Sequence, residues 1–285
     1  MTKIFPSQAF IEDLSPAIRQ AAVAAREFES KAQNLPKTGE TTDVKAALTL
    51  ADTACQEILL KALLPRFGHV ALEAEEDTAT VAAFRQEGPE LVVIDPIDGT
   101  LRSYLEKRGP YGVMAGLAVD GRYEAAMVSL PREDFYFSAI KGGGAKRAQG
   151  EASFSSASVE SSPGEEKRRM MVSYEMPEAV VRDLEGLGFE VSYGCGGALA
   201  VATLIPGVCG SLRWCPAKGV SIRGKVGLLI AREAGALVCD GTGAPFTEQL
   251  CERSDLLVTA VNGEILDQLI SITSKHLDTE KRPSS

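Results

Sequence analysis

The residues best suited to chemistry lie at positions 95–100, which read Asp95-Pro96-Ile97-Asp98-Gly99-Thr100. The residues just before them, 91–94, are apolar without alternation, which is typical of a strand buried on both faces. Pro96 and Gly99 predict a tight turn after this strand, so the two carboxylates can converge on one point. Carboxylate and backbone carbonyl oxygens are the ligands that hard divalent cations prefer. The run therefore predicts a metal site, although the same residue types also form simple turns.

Helical patterns precede this strand. Ser15 followed by Pro16 is typical of an N-cap and a first helical residue, and the amphipathic, Ala-rich run continues to Ala32. A second helix is predicted to begin near Asp52 and to continue until Pro65 and Gly68 break the helical spacing of apolar residues. Asp52 then lies in the first turn, where the positive end of the helix dipole stabilises a carboxylate.

Strand patterns follow the run at 95–100. Segments 112–119, 123–130 and 134–140, punctuated by turn residues, predict an antiparallel meander. Residues 151–167, rich in Ser, Glu and Gly, predict a linker between an N-terminal α+β half (1–150) and a C-terminal α/β half (168–285). In the second half the predicted strands are 170–174, 189–193, 236–239 and 256–261, and the predicted helices are 177–187, 198–205, 220–234 and 265–276.

Composition narrows the class of protein. The chain has 285 residues, of which 45% are hydrophobic and 24% charged, enough for a sizeable core. It contains neither a long apolar stretch nor a signal-peptide pattern, so we expect a cytoplasmic protein without a membrane partner. A net charge of -9 without a basic stripe disfavours binding to nucleic-acid polymers. The six cysteines lack zinc-site spacing and are expected to be buried free thiols.

The run at 95–100 resembles the signature of the inositol monophosphatase family, which also includes bisphosphate nucleotidases and fructose bisphosphatases. Upstream, Thr49 and Asp52 are similar to the family's Thr-x-x-Asp, and Glu75-Glu76 to its Gly-Glu-Glu-Ser segment. Downstream, residues 194–198 resemble its glycine-rich substrate loop, and residues 232–246 its closing Glu-Ala-Gly-Gly and Gly-x-Pro segments. The resemblance implies a layered αβαβα sandwich, a homodimer, and hydrolysis of a phosphate monoester of a small molecule with magnesium ions.

The resemblance also implies roles for individual residues. Glu75 and Asp95, with the carbonyl of Ile97, would bind a first Mg²⁺, and Asp98 would share a second ion with Asp95. The catalytic residues implied by the resemblance are Asp52 and Thr100, which would orient and deprotonate the attacking water, and Glu76. The residues that it implies to bind substrate are Gly99, Thr100, Gly196 and Gly197, and Arg223 is a further candidate for the substrate site.

One family position is not matched by a carboxylate. The family's third motif is a Trp-Asp pair that leads the helix ending at Glu-Ala-Gly-Gly, here the predicted helix 220–234, and its Asp completes the second metal site. Counting back from Glu233 places Arg223 there, whereas alignment on Trp214 places Cys215 there. We favour Arg223, because this alignment preserves the helix length. Arg cannot ligate a metal, but we expect its guanidinium to pair with Asp98 and to reach toward a phosphate oxygen, leaving a one-metal site.

Several alternatives stay open at this point. The chain could be a phosphatase that uses fewer metals, a phosphatase with another carboxylate recruited in space, or a binding protein that has lost catalysis. Inositol phosphates, sugar bisphosphates and 3'-phosphoadenosine bisphosphates all suit the motifs, so a 3'(2'),5'-bisphosphate nucleotidase is an alternative function. The family's Lys- or Thr-rich loop before the second helix is matched only by Lys37, Thr41, Thr42 and Lys45. A dinucleotide site at residues 194–196 is disfavoured, because its third glycine is missing.

Overall fold

The strands of the computed structural model form two sheets within the described residues, which are 6–35, 37–38, 48–159, 168–217, 219–246, 249–251 and 253–277. The strands are β1 (Ala71–Glu73), β2 (Glu90–Asp98), β3 (Gly112–Val119), β4 (Arg122–Leu130), β5 (Phe135–Ile140), β6 (Ala145–Gln149), β7 (Ser155–Ala157), β8 (Arg169–Val172), β9 (Glu190–Tyr193), β10 (Val208–Trp214), β11 (Leu237–Asp240) and β12 (Leu256–Ala260). The α-helices are α1 (Pro6–Glu29), α2 (Leu50–Phe67), α3 (Glu178–Gly186), α4 (Gly196–Ala200), α5 (Val226–Glu233) and α6 (Gly263–Leu277).

The first sheet has the strand order β1-β2-β3-β4-β5-β6-β7. Its β1–β2 pair is parallel and the pairs from β2 to β7 are antiparallel, so the predicted meander is confirmed and is longer than predicted. The second sheet has the order β11-β12-β10-β8-β9. There β8 is parallel to both β9 and β10, whereas β12 is antiparallel to β10 and β11.

The helices and sheets pack into five layers around three apolar cores. One core lies between α1 and α2 and one face of the first sheet. A second lies between the other face of that sheet, the middle helices α4 and α5, and the second sheet. The third lies between the second sheet and α3 and α6. This arrangement is the layered αβαβα fold that was predicted.

Several element boundaries differ from the predictions. α1 begins at Pro6 and contains Pro16, because buried residues at helical spacing, Phe10 and Leu14, continue the apolar face upstream. Strand β10 was not predicted, since its sequence has little β-branched character. Within the predicted linker, residues 155–157 form β7, and residues 160–167 lie outside the described residues, so the division into halves stays a prediction.

Two further properties concern membrane helices and cysteines. No helix in the described ranges is both long and apolar enough to cross a membrane. All six cysteines are free thiols, as predicted, but Cys251 is exposed and Cys215 is only partly buried.

The contact between β3 and β4 allows a test of packing. A Cβ added to Gly116 would lie 2.5 Å from Cε1 of the buried Tyr123 ring. We expect Gly116→Ala to lower the free energy of unfolding by about 1–3 kcal/mol, the usual cost of overpacking a core. Gly186→Ala is the control, because its added Cβ would meet no atom within 4 Å. Urea unfolding of the two variants gives the comparison, and a Gly116→Ala protein as stable as wild type would contradict this packing.

Candidate active site

Strand β2 brings Asp95 to the middle of the molecule. Side chains alternate along a strand, and Val92 and Ile94 pack toward α1 and α2 while Val93 packs toward α4 and α5. Asp95 therefore shares the face of Val93 and lies beside the middle layer, where it is only 6% exposed. The register of β2 with β3 shifts between Asp95 and Asp98, so the strand becomes irregular where the predicted metal site begins.

Asp52 and Thr100 form a hydrogen-bonded pair, as their predicted shared role requires. Thr49 is the N-cap of α2, and its backbone N–H and hydroxyl both donate to Asp52 Oδ2, at 2.7 and 2.6 Å. This capping box holds the Asp52 carboxylate in place. Thr100 Oγ1 lies 3.0 Å from the other oxygen, Asp52 Oδ1, and 2.8 Å from the carbonyl oxygen of Ile97.

The turn that leads from β2 to Thr100 requires glycine. Gly99 has φ of 89°, in the left-handed region, and a Cβ there would lie 2.7 Å from Cβ of Cys195. Residues 100–105 then form a π-helical turn in which the N–H groups of Ser103 and Tyr104 both donate to the Gly99 carbonyl. The turn that carries Thr100 therefore packs directly against the residue that precedes α4.

The predicted glycine-rich substrate loop is held by contacts with other segments of the chain. The N–H of Gly197 donates to Asp98 Oδ2 at 2.5 Å. A Cβ on Gly196 would lie 2.5 Å from the guanidinium carbon of Arg213, whose Nη1 donates to the carbonyl of Gly224. The two loop glycines thus allow close packing of Asp98 and Arg213, and their role in substrate binding stays a prediction.

Arg223 lies among carboxylates, but not with the partner that we predicted. Its Nη1 is 3.4 Å from Glu73, its Nη2 is 3.7 Å from Glu75, and its Nε is 3.7 Å from Asp95. The predicted ion pair with Asp98 is not formed, because the Asp98 carboxylate accepts the N–H of Gly197 instead. The N–H of Cys215, the alternative residue at this family position, donates to the Asp255 carbonyl. Glu73 was not among the residues predicted from the sequence, although it lies two residues before Glu75.

Burial and like charge shift the acid–base properties of the site. Burial, with the charges of Glu75 and Asp98, raises the pKa of Asp95 well above its ordinary value, and Arg223 opposes this rise. Burial raises the pKa of Asp52 to about 6, although hydrogen bonds from Thr49 and Thr100 lower it. Asp95 Oδ1 and Arg223 Nε are buried and have no hydrogen-bond partner in the described part of the chain. The hydrogen-bonding capacity of these two buried atoms is therefore unused within the described residues.

Glu76, the third residue predicted to be catalytic, pairs with Lys37. Lys37 Nζ lies 2.6 Å from Glu76 Oε1 and 3.8 Å from Glu75 Oε1. The backbone of Glu76 is fixed as well, because its N–H and carbonyl both bond to the Gln56 side chain. The other candidates for the family's Lys- or Thr-rich loop are Thr41, Thr42 and Lys45. They lie outside the described residues.

The carboxylates fit one cation better than two. No group of three or more His, Cys, Asp or Glu side chains in the described ranges is arranged to hold a metal ion. Mg²⁺ is often bound by only one or two carboxylates, with water and substrate phosphate completing its shell. Asp95 Oδ1 lacks a partner while Oδ2 faces Arg223, so one Asp95 oxygen, together with Glu75, can serve a single ion. Arg223, which has no lone pair to offer a metal, lies on the Oδ2 side of Asp95.

The chain is similar to known proteins in both sequence and fold. Residues 11–198 match the model of the inositol monophosphatase family. An IMPase from Thermotoga maritima has a TM-score of 0.71 at 19% identity, covering 93% of this chain and 96% of that one. The extragenic suppressor protein suhB of Bartonella henselae has a TM-score of 0.69 at 19% identity, covering 93% and 98%. An inositol monophosphatase from Anabaena (Nostoc) has 0.64 at 20%, covering 94% and 96%. A search of curated proteins gives no match.

The buried Asp95 carboxylate predicts a change in stability. Because its pKa is higher in the folded than in the unfolded protein, it destabilises the fold progressively as the pH rises above the unfolded value. Asp95→Asn should therefore raise the melting temperature at pH 8 and raise it less at pH 5. Asp267→Asn, on the exposed side of α6, is the matched control and should change it by little at either pH. Thermal unfolding of Asp95→Asn that shows a loss at pH 8 would contradict a destabilising buried charge.

Proposed function

This chain belongs to the inositol monophosphatase family, and from that premise we propose that it hydrolyses a phosphate monoester of a small molecule at the site around Asp52, Thr100 and Asp95. The observation that carries the proposal is the hydrogen-bond distance of 3.0 Å between Thr100 Oγ1 and Asp52 Oδ1, beside the buried carboxylate of Asp95. A hydroxyl backed by a carboxylate can take a proton from water.

The proton transfer proceeds through Thr100. When its hydroxyl donates to Asp52, its oxygen lone pairs can accept a hydrogen bond from the attacking water. As the water oxygen bonds to phosphorus, its proton passes to Thr100 and the Thr100 proton passes to Asp52. The ester P–O bond breaks, and the leaving alkoxide takes a proton from solvent to give an alcohol and inorganic phosphate. The pKa of about 6 makes Asp52 a base suited to neutral pH.

The same turn supplies groups that can hold the phosphate. The first N–H groups of a helical turn have no partners within that turn, so those of Gly99 and Thr100 are available to phosphate oxygens. The left-handed conformation of Gly99 sets their direction. Arg223 adds a guanidinium, whose planar donors suit phosphate.

A divalent cation belongs to this proposal, and we propose Mg²⁺. Glu75 and Asp95 would hold it with the carbonyl of Ile97, which has a second lone pair besides the one facing Thr100. When bound, such an ion neutralises charge on the phosphoryl oxygens and lowers the pKa of a bound water. The homodimer, the cytoplasmic location and the identity of the substrate stay predictions.

A binding protein without catalytic activity is the second candidate. The observation that favours it is the pair of cations among the carboxylates, with Arg223 beside Glu75 and Asp95 and Lys37 beside Glu76. Loss of one ligand from a metal site usually costs much affinity or activity. Measurement of phosphate release from inositol phosphates, sugar bisphosphates and adenosine 3',5'-bisphosphate with Mg²⁺ separates the two functions, because a binding protein releases none.

The role of Thr100 predicts a specific mutational pattern. Thr100→Val removes the hydroxyl and should lower kcat at least about a hundredfold, the lower end for loss of general acid–base catalysis. Thr100→Ser keeps the hydroxyl and should retain most of the activity. Thr53→Val is the matched control, because the Thr53 hydroxyl donates to the Leu50 carbonyl within α2. If Thr100→Val releases phosphate as fast as Thr100→Ser, proton transfer through this hydroxyl is refuted.

The pKa of Asp52 predicts the pH dependence of the reaction. Only the ionised carboxylate can accept the proton, so activity should fall as the pH drops through about 6. Measuring kcat/KM from pH 4.5 to 8.5 with the most active substrate gives this acidic limb. Thr49→Ala removes a hydrogen bond that lowers the pKa of Asp52, so it should move the limb to higher pH. A limb that does not move would assign it to another group.

A further inference from the structure

The guanidinium of Arg223 is a permanent positive charge that lies among several carboxylates of this site. We propose that Arg223 takes the place of a second divalent cation, so that the working site contains one metal ion and one guanidinium. Glu73 is then a positioning residue that holds Arg223. This inference rests on the proposed function, because it concerns the same phosphate site.

The contacts of Arg223 support this assignment. Its three nitrogens each face a different carboxylate, namely Glu73 at 3.4 Å, Glu75 at 3.7 Å and Asp95 at 3.7 Å. The distances to Glu75 and Asp95 are too long for normal hydrogen bonds. Arg223 therefore balances the charge of these carboxylates without using up their lone pairs, which leaves them available to one ion.

Compared with a carboxylate at position 223, the guanidinium changes the charge of the site by the amount that one divalent ion carries. A carboxylate at position 223 would contribute one negative charge, whereas the guanidinium contributes one positive charge. The difference is two units, which equals the charge of one divalent cation. The site thus keeps its electrostatic balance with one ion fewer, although Arg223 offers no lone pair to a metal.

The backbone around Arg223 is fixed by side chains of β4 and β10 and by the nearby Ser221. The Tyr123 hydroxyl of β4 donates to the carbonyl of Ile222 at 2.9 Å. On the other side of Arg223, the Gly224 carbonyl accepts from Arg213 at 2.7 Å, and its N–H donates to Ser221 Oγ at 3.1 Å. A backbone held in this way limits the reorganisation that Arg223 needs when a ligand binds.

One nitrogen of Arg223 has a free donor. Its Nε is buried and has no hydrogen-bond partner in the described residues, while 27% of the side chain is exposed. The exposed part of the guanidinium can face a phosphate oxygen, an acceptor that suits its planar donors. Glu73 is the closest partner of the guanidinium, and it lies at the rim with 46% of its side chain exposed.

Titration with Mn²⁺ and inorganic phosphate tests the inference without turnover. Free Mn²⁺ is counted by electron paramagnetic resonance in the presence of saturating phosphate, and phosphate affinity is measured by calorimetry at saturating Mn²⁺. We expect one Mn²⁺ per wild-type chain and two per Arg223→Asp chain, since Asp adds an oxygen ligand. Arg223→Gln should keep one ion and weaken phosphate binding at least about tenfold. Arg182→Gln, on exposed α3, should behave as wild type.

Three results would overturn the inference. They are two ions or none on the wild-type chain, one ion on a folded Arg223→Asp chain, and unchanged phosphate affinity in Arg223→Gln. Should Arg223→Asp not fold, Glu73→Gln decides. It should weaken phosphate binding by up to about fivefold, the limit for a half-exposed ion pair, with the Mn²⁺ count and melting temperature unchanged, and unaltered phosphate affinity would refute the role of Glu73. If no substrate in the panel is hydrolysed, the proposed function fails, but the ion count still decides the role of Arg223.

Discussion

Crowding of negative charge at the end of β2 is the constraint on which the site depends. Asp95 is almost fully buried near Glu75 and Asp98, and a carboxylate in this setting either takes up a proton or requires a nearby cation. Arg223 meets part of this requirement from the segment before α5. Lys37 does the same for Glu76 from the segment before α2. Positive charge from remote parts of the chain is therefore a condition for gathering these carboxylates in one place.

The layered fold makes this gathering possible because it places the site beside an apolar middle layer. The core between the two sheets excludes water from one side of β2, and electrostatic interactions are stronger where water is excluded. Small residues let the two parts of the chain approach each other. Gly99 meets Cys195 and Gly197 meets Asp98, so the turn that carries Thr100 is fixed against the start of α4. The positions of the candidate catalytic groups thus depend on contacts that span both sheets.

The sequence predicts the local parts of this site well, and the reasons are physical. A buried strand that leads into Asp95, and a carboxylate in the first turn of a helix at Asp52, follow from apolar patterning and capping alone, whereas the extension of that strand to Asp98 does not. The contact between Glu73 and Arg223 joins residues 150 positions apart and has no local signal. The predicted pair of Arg223 with Asp98 was wrong because a backbone N–H competes for Asp98, and sequence patterns do not show where such groups point. Element starts were also uncertain, as the helix that contains Pro16 shows.

Exchange of a metal ion for a guanidinium changes what the rest of the site must do. An arginine is always present and always charged, so its contribution does not depend on ion concentration. It cannot activate water as a metal ion does, because it neither coordinates water nor lowers the pKa of a bound water. Removal of the proton therefore depends more on Thr100 and Asp52 than it would with two ions. The burial that raises the pKa of Asp52 to about 6 makes this carboxylate a stronger base, and the Thr49 cap holds it where Thr100 can reach it. A site that has exchanged an ion for Arg223 thus needs the rigid Asp52 pair all the more.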